Sequence, residues 1–94
     1  MKRLTSVMIR RSLAKLPGWE LQGDEIVKSF AFANYYETMA FVNAVAWISH
    51  KVDHHPDLEV GYNKCTVHYS THSMGGLSDC DFFCAEKIEH LMKI

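Results

Sequence analysis

The sequence has no charge surplus, no Cys-x-x-Cys pair and no long apolar run. Ten Lys and Arg stand against eleven Asp and Glu, a formal net charge of -1. Such a chain has no basic face of the kind that nucleic-acid binding needs, so direct nucleic-acid contact is not expected. The basic residues near the N-terminus (Lys2, Arg3, Arg10, Arg11 and Lys15) are interrupted by Ser, Met and Leu, and read as a solvated helix face. No apolar stretch approaches the roughly 18–20 residues of a membrane span, and the N-terminus lacks the apolar region of a signal peptide. A cytoplasmic protein is expected. Cys65, Cys80 and Cys84 are odd in number and suit reduced thiols. No repeat, linker or low-complexity segment interrupts residues 1–94, so they read as one domain.

The periodicity predicts seven elements. Thr5 to Leu16 reads as a helix stopped by Pro17-Gly18. Trp19 and Leu21 alternate with polar neighbours as a strand. Gly23-Asp24 is a turn signal, and Ile26 to Phe32 reads as the returning strand, although Lys28 interrupts its apolar face. Asn34 is a good N-cap with Glu37 in capping-box position, for a helix running to Val52 or Asp53. That helix has two apolar stripes: Phe41, Val45, Ile48 and Val52, and Tyr35, Met39, Val42 and Ala46. A sheet covers one; a second subunit is expected on the other. Glu59–Tyr62 and Cys65–Thr71 read as a second strand pair about Asn63-Lys64. Ser78, with Asp81 three residues on and Leu77 and Phe82 as a hydrophobic staple, starts a last helix. The order αββαββα predicts an α+β fold, a four-stranded antiparallel sheet with three helices packed on one face.

Six histidines are present, and three stand out: the adjacent pair in His54-His55-Pro56, and His72. Imidazole titrates near neutral pH, so a group of them suits proton transfer or metal binding. Pro56 keeps His55 out of helical geometry, placing the pair where the long helix ends. If the last two strands form a hairpin, the start of one lies beside the end of the other, and His72 approaches His54-His55. The metal alternative rests on His50 and His54 at helical i,i+4 spacing, with His68 or His72 as a third ligand. No cysteine pair completes a structural site, and no His-Glu-x-x-His pattern is present.

Six segments occur in a telling order: Leu16-Pro17-Gly18-Trp19, Met39-Ala40-Phe41-Val42, Asp53-His54-His55-Pro56-Asp57, Tyr62-Asn63-Lys64, Ser70-Thr71-His72 and Gly76-Leu77-Ser78-x-x-Asp81. In these the chain resembles the pterin-4a-carbinolamine dehydratases from about Leu13 to Leu91. The resemblance implies the α+β fold above and a homodimer extending the sheet edge to edge, or a homotetramer paired through the long helix. It implies loss of water from a 4a-hydroxytetrahydropterin, giving quinonoid dihydropterin in tetrahydrobiopterin recycling. The substrate would come from a pterin-dependent aromatic amino acid hydroxylase, with no cofactor and no metal. By position, His54 and His72 match proton donors to the departing hydroxyl. His55 matches the residue that holds the pterin and serves as base. Asp81 matches an aspartate that orients a histidine. Asp53, Pro56 and Thr71 match pocket walls. His50 stands where many members carry glutamate, and Cys80 where arginine is common. Two other readings stay open: a non-catalytic dimerisation module working through the long helix, as in relatives that partner transcription factors, and a histidine metal protein.

Overall fold

In the computed structural model, residues 1–93 are described. The elements are α1 (Ser6–Leu13), β1 (Glu20–Gln22), β2 (Glu25–Ala31), α2 (Tyr35–Val52), β3 (Asp57–Val60), β4 (Lys64–Tyr69) and α3 (Asp79–Leu91), with a 3-10 turn at His72–Met74. The four strands form one antiparallel sheet in the order β1-β2-β4-β3. This is the expected α+β arrangement, with three helices and four strands in the expected sequence.

Several boundaries differ from those expected from the sequence. Helix α1 ends at Leu13 rather than Leu16. Pro17 has no N–H to bond back and its ring crowds the carbonyl four residues earlier. The chain tightens instead into turns, with Lys15 N–H on Ser12 O (3.2 Å) and Leu16 N–H on Leu13 O (3.0 Å). Strand β3 begins at Asp57, not Glu59, because pairing starts immediately after Pro56, with Asp57 opposite His68. It ends at Val60, where Gly61 N–H bonds Lys64 O at 2.8 Å and closes the loop to β4. Strand β4 ends at Tyr69, two residues short of Thr71.

The inward face of β4 is Cys65, Val67 and Tyr69; that of β2 includes Ile26 and Phe30. Phe41 and Val45 of α2, and Phe82, Cys84, Ala85 and Ile88 of α3, complete the core against them. Fully burying an apolar side chain of this size contributes about 1.5–3 kcal/mol, so α2 is held mainly through this stripe. The second stripe is only partly covered within the chain: Tyr35 and Ala46 are exposed, Met39 is half-buried, and Val42 is half-buried against the core. Lys28 lies in β2 with its ammonium 2.8 Å from Glu89 of α3 and 3.1 Å from Pro17 O. That partnership explains how a lysine interrupts an apolar strand face. Among the described residues no helix is long and apolar enough to cross a membrane.

Candidate active site

The site is built where α2 stops. Asp53 adopts left-handed backbone geometry (φ 57°, ψ 44°). Its N–H bonds His50 O at 3.3 Å, and His54 N–H bonds Ser49 O at 3.1 Å. These two bonds form a Schellman motif, which satisfies the helix's last carbonyls and swings the chain away from the helix axis. His54 therefore does not lie on the helix, and the i,i+4 alignment with His50 that a zinc site would use is lost. Among the described residues no group of three or more His, Cys, Asp and Glu is arranged to hold a metal ion.

Turned by this motif, the His54 ring points inward. Its Nε2 lies 2.5 Å from Oδ1 of Asp81, and its side chain is 11% exposed against 0% for Asp81. Asp81 is the third residue of α3. Its Oδ2 accepts the Ser78 N–H at 2.9 Å, which is the capping-box bond expected from the sequence. The same oxygen accepts the Thr71 hydroxyl at 2.8 Å. Thr71 and Ser78 hydroxyls are themselves 2.7 Å apart. Two donors thus hold one carboxylate oxygen while the other faces the imidazole, so the cap and the histidine share one side chain. Donors from three directions suit an anion, whose charge favours an Nε2–H donor on His54.

Pairing of β3 with β4 sets Asp57 opposite His68. The same register carried outward puts Thr71 opposite His54, consistent with both reaching Asp81. His72 follows Thr71, opens the 3-10 turn and is exposed. His55 is exposed beside Pro56, and the two line a cleft of about 190 Å³ with Val45, Ala46, Ser49 and Leu58. Among the described residues neither His55 nor His72 has a side-chain hydrogen bond within the protein, which leaves both rings free for another molecule. Asp53 is exposed at its strained corner, and His50 is exposed in the last turn of α2 with no ion pair among the described residues. A larger cavity, about 400 Å³, lies between α1 and α3, lined by Lys15, Leu16, Cys80, Phe82 and others; it contains no histidine.

The profile of the family described as Pterin 4 alpha carbinolamine dehydratase matches residues 2–91. The chain belongs to this family. A provisionally named pterin-4-alpha-carbinolamine dehydratase of Nitrosospira multiformis is 57% identical over 94 residues, covering 100% of this chain and 83% of the relative. Among solved structures, a transcriptional coactivator/pterin dehydratase from Brucella melitensis superposes with a TM-score of 0.89 at 32% identity, covering 95% of this chain and 97% of that one. A pterin dehydratase-like protein described as a RuBisCO assembly factor of the alpha-carboxysome superposes with a TM-score of 0.63 at 23% identity, covering 78% of this chain and 84% of that one, a likeness of fold alone.

Around His54 and Asp81 in this member of the dehydratase family lie residues that the sequence did not single out. Tyr69 stacks on His54, with ring centroids 5.9 Å apart and planes 13° from parallel. Ser49 and Cys84 flank it: the Tyr69 hydroxyl is 3.5 Å from Ser49 Oγ, and Cys84 Sγ is 4.0 Å from the His54 carbonyl. Burial pushes the Cys84 thiol up to about 11 and raises the Tyr69 phenol well above its ordinary value, so both stay neutral. Tyr69 lies on the inward face of β4, and its contact with His54 had no signature in the sequence.

Proposed function

We propose that this chain removes water from a 4a-hydroxytetrahydropterin by histidine acid–base catalysis, yielding the quinonoid dihydropterin. Family membership supports the reaction class. The observation that carries the mechanism is the Asp81–His54 pair, with the carboxylate's second oxygen already saturated by Thr71 and Ser78. In the reaction the C4a–O bond breaks and its electron pair stays with oxygen. That oxygen takes a proton and departs as water. A ring N–H is lost to a base, and its electron pair forms the new C=N bond. Both transfers need groups that exchange protons near neutral pH, and positioned acids and bases of this kind contribute about 10²–10⁴-fold.

On this reading the Nε2–H of His54 is committed to Asp81, which leaves Nδ1 as the atom that meets substrate. His72 is the second proton donor to the departing hydroxyl. His55, beside the cleft with Pro56, holds the pterin and takes the ring proton. Asp53 and Thr71 complete the walls, and His50 borders the site. The product feeds tetrahydropterin recycling after an aromatic amino acid hydroxylase, in the cytoplasm. The protein works as a homodimer or homotetramer, with the partly exposed second stripe of α2 as one contact. The test is to add purified protein to freshly generated 4a-hydroxytetrahydropterin and follow its absorbance. Acceleration over the spontaneous rate is expected; the spontaneous rate in the presence of protein would remove the proposal.

The exposure of α2 favours a second reading. Tyr36 is 85% and Trp47 63% exposed on that helix. The Brucella relative is described as a coactivator as well as a dehydratase. If this chain is chiefly a binding module, changes at Val42 or Trp47 alter association and changes at the histidines do not.

A further inference from the structure

We propose that Tyr69 is a positioning residue for His54, a shelf whose ring sets the plane of the imidazole and whose hydroxyl is held by Ser49. The Asp81 bond fixes one atom of the His54 ring and leaves the plane free to rock about it. A parallel aromatic face removes that freedom, and Tyr69 supplies one at 5.9 Å and 13°. The direction of Nδ1, the ring atom opposite the Asp81 bond, follows from the plane so set.

A buried phenol is costly unless its O–H is paired; an aliphatic side chain would fill the same space without that demand. Tyr69 is fully buried, and its hydroxyl lies 3.5 Å from Ser49 Oγ, with the Cys84 thiol as a second polar neighbour. Ser49 gives its own hydroxyl proton to Val45 O at 2.8 Å, so its oxygen is the acceptor and Tyr69 the donor. Ser49 acts twice. Its hydroxyl anchors the shelf, and its carbonyl accepts the His54 N–H at 3.1 Å. One helical residue thus locates both the imidazole's backbone and the surface its ring rests on. The titratable groups facing His54 are Asp81 of α3, Tyr69 of β4 and Cys84 of α3.

The kinetic part of this inference rests on the dehydration reading; the spectroscopic part does not. The experiment compares wild type, Tyr69→Leu, Tyr69→Phe, Ser49→Ala and the Tyr69→Phe/Ser49→Ala double variant. Each is examined by long-range proton–nitrogen NMR of the histidines and by the pH profile of dehydration. Wild-type His54 is expected to keep a proton on Nε2, held by Asp81, and to give one well-defined Nδ1 resonance. In Tyr69→Leu the Nε2 proton stays but the Nδ1 resonance shifts and broadens as the ring plane is freed, and kcat falls about ten- to hundredfold, as small misplacements of a reacting group do. KM changes by less than about twofold, and the acid limb of the kcat profile moves. Tyr69→Phe and Ser49→Ala remove the same bond, so the double variant loses no more than the worse single one. An unchanged His54 spectrum and kcat in Tyr69→Leu overturns the inference. If Tyr69→Leu fails to fold, losses that multiply in the double variant overturn it instead. Wild type that leaves dehydration unaccelerated removes the dehydration reading alone, and the His54 spectrum still decides the role of Tyr69.

Discussion

Oδ1 of Asp81 lies 2.5 Å from Nε2 of His54, joining the first turn of α3 to the residue just beyond α2. The carboxylate does two jobs, capping the helix and orienting the imidazole, and a substitution separates them by size of effect. Asp81→Asn keeps the shape, loses the charge and presents an amide that does not favour a single His54 tautomer. We expect kcat for dehydration to fall about 10²-fold or more, in the range of lost general-acid assistance. Stability measured by urea unfolding should fall by only about 1–2 kcal/mol, the scale of a weakened cap. A stability loss with unchanged kcat would make Asp81 a cap alone.

Thr71 gives its hydroxyl to Asp81 inside the protein, whereas Thr66 meets Ser29 on the exposed outer face of the sheet at 2.7 Å. Thr71→Val takes one of two donors from Asp81 Oδ2 and leaves the buried Ser78 hydroxyl without its acceptor, and should cost about 1–3 kcal/mol. Thr66→Val should stay within about 0.5 kcal/mol, as ordinary surface changes do. Denaturant midpoints of the two variants check the contrast.

His68, on that outer face, is flanked by Glu25 of β2 (3.1 Å from Nδ1) and Glu59 of β3 (2.5 Å from Nε2). Burial pulls its pKa down, but the hydrogen bonds and charges of Glu59 and Glu25 outweigh that and leave it raised. A group with a raised folded pKa stabilises fully below its unfolded value, about 6.5. The contribution disappears as pH rises through the folded value. The stability gap between wild type and His68→Gln should therefore be largest at acidic pH and shrink as pH rises above neutrality. Thermal unfolding across that range measures it; a gap that widens with pH would contradict the assignment.

Asp53 holds a left-handed conformation at the end of α2, where glycine is the common residue. Such geometry costs an L-residue about 1–2 kcal/mol, partly offset for Asp, so Asp53→Gly should raise stability by up to about 1 kcal/mol. If the carboxylate also lines the substrate site, KM rises in the same variant. Unfolding and steady-state kinetics on one preparation read both effects.

Local patterns carried much of this architecture. The Asn34 and Ser78 caps marked the starts of α2 and α3, and Pro17-Gly18 marked the stop after α1. Strand β3 was placed two residues late because, as an edge strand, it leaves three of its four residues exposed and shows almost no alternation. The histidine region was legible through Pro56 and the hairpin, but its wiring was not. That Thr71 donates to Asp81, and that Tyr69 lies against His54, depends on how far α2 and α3 sit from the sheet, a distance no local period records. His68, which the sequence offered as a possible third metal ligand, lies on the outer face of the sheet between two carboxylates. Its carboxylate partners required the register of three strands, with β4 between β2 and β3.

The most direct test compares wild-type protein with the His54→Ala/His72→Ala double variant in dehydration of freshly formed 4a-hydroxytetrahydropterin, with folding of both verified by circular dichroism. The account predicts acceleration by wild type and a rate indistinguishable from the spontaneous one with the folded variant. A double variant as fast as wild type would contradict it.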